Sequence, residues 1–292
     1  MTFIDTIKEQ KQPFESKPHC ELDDRVFLTL AELPFTNIIP SVEEYNRTGR
    51  TVTVSQAINT FLANSKELSR SMAMRQRKKK RGVFKTNPKT FCSNGKGGYI
   101  PLSANDIGSL KAIANSPRYK NLEISCYRDT YEKNKISGIS MLTAFLPNGN
   151  IAVAYGGTGD EIKRWSDCVA CGLATESESQ TEAVKYLKDV NDAVSKRIGA
   201  FGIHLSGYSK GGHMALYAAM KTTVEIRKKI KTLLLNDFPG FHKNVLKDKT
   251  NIKIVDDLIR TLGNNMKLYC PSHRVISNIL RHFPAIEKDG RM

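Results

Sequence analysis

The sequence predicts an α/β fold: a mostly parallel sheet covered by helices, with a helical segment at the N-terminus. Three observations carry this expectation. From about residue 120, short apolar strands alternate with stretches of helical periodicity. One of those strands, Phe201-Gly-Ile-His-Leu-Ser206, runs into the glycine-rich turn Gly207-Tyr208-Ser209-Lys210-Gly211-Gly212, with a helix behind it. Residues 1–70 lack the alternation and read as helices.

In chain order, Asp23 to Leu33 sets Val26, Phe27, Leu30 and Leu33 at helical spacing. Val54-Ser55-Gln56-Ala57 opens another helix, with Ser55 as the expected N-cap. The basic run Arg75-Gln-Arg-Lys-Lys-Lys-Arg81 and Gly95-Lys96-Gly97-Gly98 mark residues 75–98 as a loop. This divides the chain into a helical region with a basic loop, 1–98, and an α/β core, 99–292. In the core, Leu122 to Tyr127 and Ser137 to Phe145 read as strands, and Pro147-Asn148-Gly149-Asn150 as a turn. Ile151-Ala-Val-Ala-Tyr155 reads as a buried strand. Gln180 to Arg197 is a long helix with Ala183, Val184, Leu187, Val190 and Val194 on one face. After the turn at Ser209, His213 to Lys221 continues as helix, and Thr232 to Asn236 and Met266 to Cys270 as strands.

Bulk composition narrows the function. The 292 residues are 40% hydrophobic, which suits a globular chain. No apolar run approaches the roughly 18–20 residues that cross a bilayer. Met1 to Gln10 lacks the basic and apolar regions of a secretory leader, so cytoplasmic residence is expected. Six cysteines are scattered, and only Cys168-Val169-Ala170-Cys171 is closely spaced. Without a second pair or flanking histidines this is not a metal motif, and no metal or cofactor is expected. The net charge of +16 is concentrated in part at Arg75–Arg81, which supplies six positive charges. That run is either a solvated loop or a contact for an anionic surface. No aromatic residues interleave with it, so no specific nucleic acid is predicted.

The chemistry centres on Ser209. A serine two residues after one glycine and two before another, between a strand and a helix, forms a tight turn that exposes its hydroxyl. The helix behind it turns its positive end toward the site. The backbone N–H of Lys210 is placed to donate to an oxyanion. This is the pattern expected of a nucleophile elbow in an α/β-hydrolase fold; the competing reading is a glycine-rich turn without catalysis. A second oxyanion contributor is expected from Gly156-Gly157-Thr158, directly after a strand, where two glycines allow close backbone approach and Thr158 adds a hydroxyl and an N–H.

At these residues the sequence resembles the Mbeg-like, lipase-class-3-like bacterial α/β-hydrolases. Their elbow reads G-H-S-K-G-G-N-x-A, against Gly207-Tyr208-Ser209-Lys210-Gly211-Gly212-His213-Met214-Ala215 here. Their F-R-G-T-D segment, followed by a tryptophan, is matched by Tyr155-Gly156-Gly157-Thr158-Gly159-Asp160 and Trp165. Gln180, Ala183, Tyr186 and Leu187 match Q-x-x-A-x-x-Y-L, and Asn236-Asp237-Phe238-Pro239-Gly240-Phe241 approximates N-x-D-G-P-G-F. The resemblance spans roughly residues 20–280. It implies a serine hydrolase of carboxylic, including lipid acyl, esters, with Ser209 as nucleophile and Thr158 as an oxyanion residue.

A serine nucleophile needs a base, and the base an orienting acid, in the chain order serine, acid, histidine. The resembling family carries an aspartate about where this chain has His273, after the strand Met266 to Cys270. Only nineteen residues follow His273, and no strand is evident among them. The candidates are therefore Asp237 as acid and His273 or His282 as base. His213 sits one turn past Ser209 and reads as a packing or capping residue. The alternative is an incomplete triad, in a core truncated at its C-terminus or in a catalytically inactive relative with a binding role.

Overall fold

The computed structural model describes residues 2–10, 12–14, 19–65, 90–93, 99–131, 138–157, 176–269, 283–284 and 286. Its strands are β1 (Val52–Thr53), β2 (Thr90–Ser93), β3 (Tyr99–Leu102), β4 (Glu123–Asp129), β5 (Ser140–Phe145), β6 (Ile151–Tyr155), β7 (Ile203–Tyr208), β8 (Ile230–Asn236) and β9 (Met266–Tyr269). Seven of them form one sheet in the order β1-β4-β5-β6-β7-β8-β9, and β2 and β3 form a separate hairpin.

The sheet has two halves. From β1 to β6 every pairing is antiparallel. From β6 to β9 every pairing is parallel, so the expected parallel arrangement is confined to the half that carries Ser209. The turn between β5 and β6 shows why the first half is antiparallel. Gly149 adopts φ +80°, and its N–H donates to the Leu146 carbonyl at 3.0 Å, so a short hairpin closes where Pro147-Asn-Gly-Asn150 predicted one.

Parallel strands that advance in one direction place their crossover helices on one face, because such crossovers are right-handed. Glu178–Ser195, Lys210–Lys221 and Lys249–Leu262 accordingly share one core with Ile151, Val153, Tyr155, Ile203, Leu205, Leu233 and Leu235. The opposite face would be bare without the N-terminal helices. Glu21–Ala31, residues 54–65 and Ala104–Asn115 pack there over Ala152, Ala154, Leu142 and Ala144. The alternation along β6, larger side chains on one face and alanines on the other, is the period-2 pattern of a strand buried on both sides.

Local differences from the sequence reading have physical causes. The helix expected to be capped by Ser55 begins at Val54, and its cap is Thr53. Gln56 N–H donates to Thr53 Oγ1 at 3.2 Å, and Gln56 Oε1 accepts from Thr53 N–H at 3.0 Å, a reciprocal capping box. The segment read as loop, 75–98, contains the strand β2. Residues 75–81 and Gly95–Gly98 lie outside the described residues, as do Cys168 and Cys171. Among the described residues no helix is long and apolar enough to cross a membrane.

Candidate active site

Ser209 lies between the last residue of β7 and the first of the helix Lys210–Lys221. Its backbone is at φ +53°, ψ −121°, a region costly for any residue with a Cβ. Its hydroxyl makes no capping bond to the helix that it precedes, which is the usual use of a serine in that position. Neighbouring backbone holds the strained residue: Ser209 N–H donates to Asn236 O at 2.8 Å, and Gly212 N–H to Ser209 O at 3.0 Å.

The flanking glycines are sterically required. A Cβ on Gly207 would overlap the Gly211 carbonyl, and one on Gly211 would overlap the Tyr155 carbonyl. On Gly212 it would sit 2.7 Å from Phe238 Cβ. The spacing of the motif is thus the imprint of a turn whose two arms and neighbouring strand touch through backbone atoms.

The Tyr155–Gly157 segment runs beside this turn, as the register of Tyr155 opposite Gly207 requires. A Cβ on Gly157 would lie 3.1 Å from Tyr208 Cδ1 and 3.2 Å from Tyr208 O. The Gly157 N–H donates to Glu32 Oε1 at 3.2 Å, and Tyr131 Oη–H donates to the Gly157 carbonyl at 3.4 Å. Thr158 lies outside the described residues. The Lys210 side chain is buried and leaves the turn: its ammonium donates to the Gly138 carbonyl and stands 5.4 Å from the centre of the Tyr131 ring. Its backbone N–H opens the helix, where the first-turn N–H groups have no intrahelical acceptor.

Asp237 follows β8 directly. It too holds a positive φ, +47°, and its N–H donates to Tyr269 O at 2.7 Å. It is buried, and the carbonyl just before it accepts the Ser209 N–H. The structure therefore brings Asp237 to the same end of the sheet as Ser209.

Four of the six histidines are described, and each is engaged elsewhere. His213 is fully buried, with Nδ1 2.5 Å from Gly240 O and Nε2 2.7 Å from Gln180 Nε2. A carbonyl can only accept, so Nδ1 carries the proton and Nε2 accepts from the Gln180 amide. Both ring nitrogens are then used, which makes His213 a bracing residue. His242 caps the helix Lys243–Lys247, accepting from Asn244 N–H at 3.3 Å. His204 lies five residues below Ser209 along β7, about 16 Å at strand spacing. Its Nδ1 is 3.0 Å from Thr232 Oγ1, and its ring lies 4.2 Å from that of His19. Burial, and then the neighbouring His19, lowers the His204 pKa to about 3. His19 Nε2 is 3.2 Å from Asp24 Oδ1. Burial opposes the His19 charge, but the Asp24 carboxylate outweighs it and raises the imidazole pKa. His273 and His282 lie outside the described residues.

Sequence reasoning missed Glu32 and Tyr131. Glu32 reaches Gly157 across 125 residues, and no local pattern marks it. Tyr131 lies just past β4, and the close approach of Gly138 to its ring is visible only in three dimensions.

A family model described as Mbeg1-like matches residues 113–283. The chain belongs to the Mbeg1-like family. The Mbeg1-like match begins in the helix Ala104–Asn115 and takes in β4 to β9, the elbow and Asp237. The helices at 21–65 that cover the second face of the sheet precede it. No curated protein matches the chain.

Proposed function

We propose that this Mbeg1-like chain is an α/β-hydrolase-fold serine hydrolase that cleaves carboxylic esters, lipid acyl esters among them, through an acyl-enzyme on Ser209. The observation that carries the reading is the backbone of Ser209, held at φ +53° between a parallel strand and a helix by glycines that admit no Cβ. Strain of that kind persists where the surrounding structure over-determines it, and here the serine hydroxyl makes no capping bond to its own helix. Ser209 Oγ attacks the ester carbonyl, and its proton passes through a base to the departing alcohol. Water, activated by the same base, then cleaves the acyl-serine bond and releases the carboxylic acid. The Lys210 N–H and Thr158 bind the oxyanion. Asp237 orients the base. His19, His204, His213 and His242 have the structural partners described above, which leaves His273 or His282 for that role.

A fluorophosphonate probe tests the nucleophile. The wild-type chain should be labelled and hydrolyse p-nitrophenyl butyrate, and Ser209→Ala should do neither. His273→Ala and His282→Ala should differ, the true base losing about 10³-fold or more in kcat. Equal labelling of wild type and Ser209→Ala removes Ser209 as nucleophile. No labelling of either, with no turnover, assigns the fold a binding role.

A further inference from the structure

We propose that a cleft at the end of the sheet remote from Ser209 binds a small zwitterion with an apolar body, the class of the free α-amino acids, through Arg197 and Glu123. The cleft has a volume of about 410 Å³, within the roughly 300–1,000 Å³ of small-molecule sites. Its place follows from strand register. Glu123, Phe145, Ile151 and Ile203 stand in one row across β4, β5, β6 and β7. Ile203 precedes Ser209 by six residues, about 20 Å of strand, so this site is separate from the elbow.

Two helices reach this row and stop. Val42–Thr48 ends at Gly49, and Glu178–Ser195 gives way to Arg197 and Ile198. Phe145 stays partly exposed at their ends and lines the cleft, with the Tyr45 ring 5.0 Å from its own. The surface offered to an apolar body is therefore aromatic. Arg197 is held in place. Its Nη2–H donates to the Asn46 carbonyl at 3.0 Å, and its guanidinium stands 5.6 Å from the centre of the Tyr45 ring. Gly49, at φ +71°, permits this, because a Cβ there would lie 2.6 Å from Arg197 Nη1. Asn150 lines the cleft from the β5–β6 turn. Its Oδ1 accepts from Gly202 N–H at 2.7 Å, which commits the oxygen and keeps the amide N–H groups as donors.

The charges select the ligand. Glu123 lines the same cleft, is exposed, and has no hydrogen bond or ion pair among the described residues. Burial raises the pKa of the Tyr45 hydroxyl, and both charges reach it, Arg197 lowering the value and Glu123 raising it. A plain anion would suit Arg197 and be repelled by Glu123. A plain amine would be repelled by Arg197 and by a chain of net charge +16. A zwitterion answers both groups and is neutral toward the rest of the molecule.

NMR titration of the full chain tests this, at about 0.15 M salt to screen loose ion attraction. The probes are L-phenylalanine, phenylacetate, which lacks the amine, and phenethylamine, which lacks the carboxylate. Phenylalanine should bind saturably below about 10 mM, and each analogue about tenfold more weakly, the equivalent of one charge-assisted hydrogen bond. Glu123→Gln and Arg197→Gln should each weaken phenylalanine about tenfold, and Glu123→Gln should not weaken phenylacetate. Glu123→Gln, at an exposed position, carries the comparison should the arginine variant fold poorly. No saturable binding of phenylalanine overturns the site. Phenylacetate or phenethylamine binding as tightly as phenylalanine overturns the zwitterion. Unchanged phenylalanine affinity in the folded variants places the binding elsewhere and overturns the role of this cleft.

Discussion

At the scale of single residues, the glycines of the elbow make the sharpest demands. Gly211→Ala would push a methyl group into the Tyr155 carbonyl, where backbone rather than a pliable side chain must move. A loss of about 3 kcal/mol or more is expected in urea unfolding. Gly199→Ala meets nothing within 4 Å and should stay within about 0.5 kcal/mol of wild type. His204 makes a second demand. The unfolded chain takes up its proton near 6.5, whereas the folded chain resists until about 3. Its contribution to stability is thus complete above about pH 6.5 and is lost as pH falls toward 3. His19, raised, has the opposite sign: its contribution is present below about 6.5 and fades at higher pH. His204→Asn should therefore flatten the decline of unfolding free energy between pH 6.5 and 4.5, by up to about 1.4 kcal/mol per pH unit. An unchanged slope would remove His204 as its source. The elbow was legible in the sequence because its steric rule acts over five consecutive residues. Glu32 was not, because its partner is set by how a helix end meets a strand end.

At the scale of elements, the helix Glu178–Ser195 is tied to the elbow helix through one side chain. Gln180 Oε1 accepts from Ser177 N–H at 2.6 Å, completing a capping box, while its amide nitrogen meets His213, which in turn donates to Gly240 O. Three segments therefore share a continuous polar bridge under the site. Gln180→Leu should leave the His213 Nε2 without its donor and the cap half made. It is expected to cost about 2–3 kcal/mol, well above the roughly 1 kcal/mol of an isolated cap such as Ser41→Ala. Equivalent losses in thermal unfolding would show that the bridge does no more than cap. The sequence marked the helix by its apolar stripe, and Gln180 by family resemblance. That Gln180 faces His213 depends on two helices packing side by side, which periodicity does not specify.

At the scale of the molecule, the alternation of strands and helices after residue 120 made the α/β class legible, since each β-to-α switch is written in local hydrophobic period. The antiparallel half was less so. β1 is two residues long and pairs with β4 across about seventy positions, and such a short strand has no period to read. Charge belongs to this scale as well. With a net +16, we propose that the chain adheres to anionic surfaces through Arg75–Arg81. Sedimentation with phosphatidylserine vesicles should be strong at low salt and largely lost at about 0.5 M. Replacing the run with neutral residues should abolish most of it, and retention would place the contact elsewhere.

The order of the strands carries one more consequence. From β4 to β9 each strand joins the free edge left by the one before, and none is inserted between two already paired. The sheet can be laid down in the direction of synthesis, every new edge being completed by chain that has just left the ribosome. The elbow must wait. Its amide is anchored by β8, whose last residues are in turn braced by β9, so Ser209 acquires its strained geometry only near the close of assembly. A nascent chain halted before β9 would already hold most of its sheet and yet lack the finished turn at Ser209, so the strained backbone there is among the last features that the fold completes.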